Sequence, residues 1–145
     1  MNVAEVMTAD VDYCSPESTF KEVALKMKEL DVGVIPICDN ENLVGIVTDR
    51  DLVIEGLAND LSAESTISVL VTNDVVKGSK EMSVEEAVKV MSQHQIRRLP
   101  IVEEDKLVGI VSLGDLAVNN QSSDEAGQAL KDISNPAKPK NLHAD

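Results

Sequence analysis

Apolar residues in this chain follow two alternating spacings, and the same succession of spacings runs through it twice. Phe20, Val23, Ala24, Met27 and Leu30 recur at helical intervals behind Thr19 and Glu22. A Ser or Thr followed three positions later by Glu satisfies orphan N–H groups at a helix start, so this segment predicts a helix with one apolar face. Val84, Ala87, Val88 and Met91 behind Ser83 and Glu86 predict its counterpart. The spacing then changes to β-branched runs at residues 32–38 and 43–48, and again at 96–102 and 107–112. Polar connections at 39–42 and 103–106 make each pair of runs a hairpin, whose acidic residues are expected to be solvated turns rather than a cation site. A second helix is expected after each hairpin, in the first case from about Asp49 to Ala58, with Leu52, Val53, Leu57 and Leu61 as anchors. Shorter entry segments at 3–11 and 67–75 are expected to begin as a helical turn and end as short strands at 11–13 and 75–77.

Shifting the chain by 64 positions lays residues 3–52 on 67–116 without a gap, with 16 identities in 50 pairs. Each unit of such a duplication carries apolar surface that it cannot bury alone, so two units are expected to close on one another and leave a cleft. The expected division is a first repeat with its linker at 1–64, a second repeat at 65–118, and a C-terminal helix and tail at 119–145. Residues 59–66, rich in Asp, Ser and Thr, form the linker. Residues 123–133 suit one amphipathic helix with Ala126, Leu130 and Ile133 on a face, followed by a frayed tail containing Pro136 and Pro139.

The 145 residues suit one compact α/β assembly. Hydrophobic residues make up 43% and aromatics only 1%, so the core must be aliphatic and a flat ligand would be gripped by branched side chains. A net charge of -13 opposes attraction to nucleic acid or an anionic membrane. No apolar run approaches a membrane span and no signal-peptide pattern is present, so a cytoplasmic location is expected. Cys14 and Cys38 lack metal or redox spacing and read as reduced residues, Cys38 in a core strand. His94 and His143, the only histidines, have no nucleophile or acid partner at a recognisable spacing, so no enzyme activity is expected. The only three arginines, Arg50, Arg97 and Arg98, all fall inside repeated segments.

The pattern Gly-Ile-Val-Thr/Ser-x-x-Asp occurs at Gly45 to Asp51 and at Gly109 to Asp115. A strand that ends in a hydroxyl and runs into a helix places Thr48 beside Asp51 and Ser112 beside Asp115. Such a carboxylate can accept from vicinal ribose hydroxyls, while the hydroxyl and nearby N–H groups meet a phosphate or sugar oxygen. The same residues equally suit N-caps that favour the helix dipole, and both readings stay open at this point.

Four ordered motifs carry a specific resemblance: Asp31-Val32-Gly33-Val34-Ile35-Pro36-Ile37, Gly45-Ile46-Val47-Thr48-Asp49-Arg50-Asp51, Ile96-Arg97-Arg98-Leu99-Pro100-Ile101-Val102, and Gly109-Ile110-Val111-Ser112-Leu113-Gly114-Asp115. Over residues 3–118 the chain resembles a tandem pair of cystathionine-β-synthase-type (CBS) domains of the stand-alone bacterial or archaeal kind. The resemblance implies two β-α-β-β-α repeats packed sheet to sheet about a pseudo-twofold axis, with clefts for adenosyl compounds. It implies a first cleft with Ser112 and Asp115 on the ribose, within a motif that includes Ile110, and Thr8, Asp10 and Val11 near the base. Gly33, Val34, Ile35 and Pro36 would be its apolar wall, and Arg97 and Arg98 would reach phosphates. A second cleft would use Thr48 and Asp51, with Thr72, Asp74 and Val75 near the base and Leu99 and Pro100 as wall. Its phosphate position holds Gly33 and Val34, so it is expected to be empty, weaker, or suited to a nucleoside-like ligand. Strand alternation suggests that one of Arg97 and Arg98 enters its cleft and the other pairs with surface acids, while Arg50 either touches phosphate or is solvated. Leu70-Val71-Thr72 departs from the Val-Met-Thr kept at Val6-Met7-Thr8.

These readings together describe a regulatory module that senses AMP, ADP or ATP, with S-adenosylmethionine or NADH as alternatives and no required cofactor. A homodimer is expected, with Ala24, Met27, Val53 and Leu57 contributing, together with an unknown regulated protein. The other reading is a structural or partner-binding dimer with vestigial clefts.

Overall fold

A computed structural model describes residues 1–71 and 75–117, together with 127, 132 and 133. In chain order, β1 (Thr8–Ala9) follows a 3-10 turn, Val3–Glu5; then come α1 (Phe20–Leu30), β2 (Val34–Asp39), β3 (Asn42–Thr48) and α2 (Asp49–Asp51). The helical run continues from α2 as a π segment, Leu52–Gly56, and a 3-10 turn, Leu57–Asn59. A further 3-10 turn, Ile67–Leu70, precedes β4 (Gly78–Ser79), α3 (Val84–His94), β5 (Arg98–Glu103), β6 (Lys106–Ser112) and α4 (Leu113–Ala117). Thr72 and Asp74, and most of the expected helix at 123–133, lie outside the described residues.

Both capping boxes form. Thr19 accepts from Glu22 N–H and the Glu22 carboxylate accepts from Thr19 N–H; Ser83 and Glu86 do the same. Each helix stops in a left-handed residue, Asp31 (φ 56°) or Gln95 (φ 54°). The next N–H then turns back, from Val32 to the Met27 carbonyl and from Ile96 to the Met91 carbonyl, both at 3.0 Å. This return bond satisfies a terminal carbonyl and aims the chain at the following strand.

The chain divides into two compact units that do not follow the sequence repeats. The first comprises Met1–Ala9, Val76–Glu103 and the residues from Val108; the second comprises Asp10–Val75 with Glu104–Leu107. In the first, Asn2 bridges Ser83 and Val3 N–H donates to the Met82 carbonyl at 2.9 Å. In the second, Thr66 bridges Thr19, the position equivalent to Ser83. The entry segment of each repeat thus folds with the helix and hairpin of the other. The linker also caps α1, its Ser65 and Ala63 carbonyls accepting from the N–H groups of Phe20 and Lys21.

The first unit's core gathers Val3, Val84, Ala87, Val88, Met91, Leu99, Ile101, Val111, Leu113 and Leu116. Every apolar position expected on α3 is buried there. The second unit's core holds Cys14, Phe20, Val23, Met27, Ile35, Ile37, Val47 and Ile67. On α1, Ala24 and Leu30 are exposed instead of buried, because only the stripe through Phe20, Val23 and Met27 faces the strands.

The short strands differ from expectation. None forms at 11–13 or 75–77; the strand pairs are Thr8–Ala9 on Ile110 and Gly109, antiparallel, and Gly78–Ser79 on Ile101 and Val102, parallel. Asp10 at φ 54° breaks the first extended run. Cys14 then bridges Ile37, the same place that Gly78 takes beside Ile101. The hairpin tips are turns with both central residues at positive φ, Asn40–Glu41 and Glu104–Asp105, the geometry whose twist matches antiparallel strands.

Candidate functional site

In each unit the conserved pattern of the repeat builds one turn. At the end of β6, Ser112 Oγ accepts from Asp115 N–H and the Asp115 carboxylate accepts from Ser112 N–H, both at 3.1 Å. At the end of β3, Thr48 and Asp51 make the same pair at 3.1 and 2.9 Å. The helix-cap reading of these residues is thus the one that the hydrogen bonds display. The cap engages only the Oδ2 atom of each half-buried aspartate, and among the described residues no hydrogen bond reaches Oδ1.

The first unit brings further expected residues to this turn. Thr8 lies opposite Ile110 on β1, two positions before Ser112 on β6. Close approach of the strands requires Gly109: a Cβ there would stand 2.9 Å from the Thr8 carbonyl oxygen and 2.5 Å from Met7 Sδ. The Arg97 carbonyl accepts from Leu113 N–H at 3.0 Å, which ties residue 97 to the first residue of α4. Arg97 and Arg98 are both exposed, and neither has an acid at ion-pair distance among the described residues. Leu99 is fully buried in the core and Pro100 is buried beside it in sequence, leaving Leu99 little but backbone to offer a ligand.

The second unit holds the equivalent turn with different neighbours. Asp49 N–H donates to the Gly33 carbonyl at 2.9 Å, as Leu113 does to Arg97. The Asp49 carboxylate lies over Gly33, with Oδ2 3.0 Å from where a Cβ would stand, and its Oδ1 accepts from Arg50 N–H at 2.8 Å. Gly33 and Val34 are half-buried; Ile35 belongs to the core and Pro36 is buried. Asp10 is exposed, and Val11 and Val75 are half-buried. Val71, where Met7 stands in the other repeat, packs 3.2 Å from a Cβ at Gly45 and so keeps the same contact. Asp49 is the residue that sequence reasoning missed. Its signal was available: it occupies a variable motif position where the other repeat has Leu113.

The remaining chemistry-bearing side chains are inert or solvated. Burial pushes the Cys38 thiol up to about 11. Cys14 is raised as well, chiefly by burial, against the opposing Ser18 hydrogen bond and Lys26 charge. Both are free thiols. His94 is exposed at the end of α3. No group of three or more His, Cys, Asp or Glu suited to a metal occurs among the described residues, and none of their helices is long and apolar enough to cross a membrane.

A strand, a hydroxyl–aspartate turn and a helix are built twice, in a mixed α/β protein with six strands among the described residues. The CBS domain model matches residues 3–57 and again 67–119, and the chain belongs to the CBS domain family. The CBS domain-containing protein YhcV of Bacillus subtilis is 43% identical over 142 residues, covering 98% of this chain and 99% of that one. A crystal structure of Hypoxic Response Protein I with two coordinated zinc ions aligns at a TM-score of 0.75 and 37% identity, over 81% of this chain and 97% of that one. Two further structures share the fold at 23% identity, each covering 85% of this chain and 98% of theirs. One is CBSX2 in complex with AMP (TM-score 0.72), the other a CBS domain pair with 5′-methylthioadenosine and S-adenosyl-L-methionine (TM-score 0.74).

Proposed function

We propose that this chain is a non-enzymatic regulatory module that binds an adenine nucleotide or another adenosyl compound and reports its occupancy to a separate protein. The observation that carries this reading is the Ser112–Asp115 turn, in which no hydrogen bond among the described residues reaches Asp115 Oδ1, at the end of a strand that pairs with Thr8 and next to Leu113, which is bonded to the Arg97 carbonyl. Asp115 Oδ1 accepts from a ribose hydroxyl, and the exposed Arg97 guanidinium takes the phosphate end, a charge-assisted contact stronger than a neutral one. The fold of the two ligand-bearing relatives accommodates adenosyl compounds, in keeping with this chemistry. Occupancy shifts an equilibrium only as far as the ligand's affinity differs between two states, so the reported signal must be a change in packing or assembly.

Isothermal titration with AMP, ADP, ATP, S-adenosylmethionine and NADH tests the proposal. Saturable heat and thermal stabilisation with at least one of them are expected; neither effect with any of the five overturns it.

A second reading, a partner-binding dimer, has its own supporting observation. A largely apolar groove of about 530 Å³ runs along α1 and the helical run after β3. It is lined by all four residues put forward for a dimer, Ala24, Met27, Val53 and Leu57. Leu57 is 70% and Val53 51% exposed. Sedimentation of the Asp115→Ala variant separates the readings: a dimer that persists while AMP affinity falls makes the ligand site functional in its own right.

A further inference from the structure

Resting on the adenosyl-binding reading, we infer that Asp49 makes the second unit's turn select an adenosyl compound with no negative charge at its 5′ end, while the first unit's turn takes the phosphorylated ones. The two turns share their hydroxyl–aspartate pair and backbone bonds, so what they hold in common cannot discriminate. They differ at two coupled positions. Where the first unit has Arg97 bonded through its carbonyl to apolar Leu113, the second has Gly33 bonded in the same way to Asp49. Exchanging Arg97 for Gly33 removes a cation. Exchanging Leu113 for Asp49 adds an anion at the same place.

The placement of that anion is defined. Asp49 Oδ1 is anchored by the Arg50 N–H at 2.8 Å, and Oδ2 lies over the Gly33 backbone. A side chain at residue 33 would fill the space where the carboxylate now sits, so the acidic residue occupies the very volume in which a phosphate-binding cation would be built. Other charges nearby leave it uncompensated. Arg50 lines a shallow depression with Asp49, Val53 and Ile54, and Lys21 and Lys28 line the groove that Asp49 borders. No ion pair joins any of these cations to Asp49 among the described residues. A 5′-phosphate beside residue 33 would therefore meet Asp49 as well as Asp51, and like charges a few ångströms apart oppose binding. A thioether or a sulfonium at the same place meets no such opposition.

The test uses the full chain in an Asp115→Ala background, which removes the ribose acceptor of the first unit, with 5′-methylthioadenosine and AMP as the titrants. Asp49→Asn keeps the amide oxygen that accepts from Arg50 N–H and removes only the charge, and a thermal melt confirms folding. With Asp49 present, 5′-methylthioadenosine should bind more tightly than AMP. In the Asp49→Asn variant AMP affinity should rise roughly tenfold, the effect of removing one charge a few ångströms from a phosphate at a partly solvated site. The affinity for 5′-methylthioadenosine should hold within about twofold, since an uncharged 5′ end has no Coulomb term with residue 49. An unchanged AMP affinity alongside intact 5′-methylthioadenosine binding overturns the role of Asp49. AMP binding that the wild type shows and Asp115→Ala abolishes, with 5′-methylthioadenosine bound by neither, overturns this inference and leaves nucleotide sensing standing. Silence toward every adenosyl compound in the wild type overturns both.

Discussion

Ser112 and Asp115 hold one another by two hydrogen bonds of equal length, 3.1 Å, each residue's side chain accepting the other's backbone N–H. The cap and the proposed ligand site are therefore one object. Replacing Asp115 with Ala should cost about 1 kcal/mol of stability, the usual value of a helix cap, and should remove AMP binding at the first unit. Ser112→Thr, which copies Thr48, should preserve both. Urea denaturation and isothermal titration on the same preparations check the pair of effects; full AMP affinity in Asp115→Ala would dismiss this carboxylate as a ligand group.

Gly109 and Gly45 occupy equivalent positions but tolerate a methyl group differently. An alanine Cβ at Gly109 meets the Thr8 backbone oxygen at 2.9 Å, whereas at Gly45 the nearest atom is a Val71 methyl carbon at 3.2 Å. Backbone cannot swing aside as a side chain can. Gly109→Ala should destabilise the protein by about 1–3 kcal/mol through overpacking and loosen β1 from β6; Gly45→Ala should cost less. Amide exchange at Thr8 and Ala9, faster in the first variant only, reads this out.

The first hairpin turns through Asn40 at φ 52° and Glu41 at φ 75°, conformations that cost a non-glycine residue about 1 kcal/mol or more. Glu41→Gly creates the Asn-Gly pair that this turn favours and should raise stability by about 1 kcal/mol, seen as a higher urea midpoint with an unchanged slope. The Leu107 N–H bond to the residue 41 carbonyl at 3.1 Å is a backbone contact and should survive.

Cys38 should make the protein lose stability in alkali. Its folded thiol is pushed up to about 11 by burial, while an unfolded cysteine ionises near 8.5. Between those values the unfolded chain has released its proton and the folded chain has not, so unfolding gains with rising pH. The contribution is whole below the unfolded value and declines from there up to about 11. Cys38→Val, which adopts the residue found at position 102, should flatten this limb of the stability–pH curve. Neither native thiol should react with a disulfide reagent at pH 8, while both should in denaturant; fast native labelling would contradict the burial of Cys14 and Cys38.

Much of this architecture was legible before any coordinates because it is local. Capping boxes at Thr19 and Ser83, the helical stripes behind them, and the hairpins at 39–42 and 103–106 each involve residues a few positions apart, and a duplicated pattern confirms itself. The hydroxyl–aspartate turn was legible for the same reason, since four consecutive residues contain it. Periodicity failed where partners are distant: Ala24 is helical in phase yet exposed, and the strands fell at Thr8–Ala9 and Gly78–Ser79 instead of three residues away.

By itself, then, the sequence determined the repeat, its helices and hairpins, and the residues of its hydroxyl–aspartate turn. Only tertiary structure decided that Asn2 joins Ser83 while Thr66 joins Thr19, so that each entry segment completes the other repeat, and that Asp49 rests on Gly33. Local propensity sets the conformation of a short segment, but which edge that segment pairs with depends on apolar surface and backbone groups left open tens of residues away, and no spacing within the segment encodes that choice.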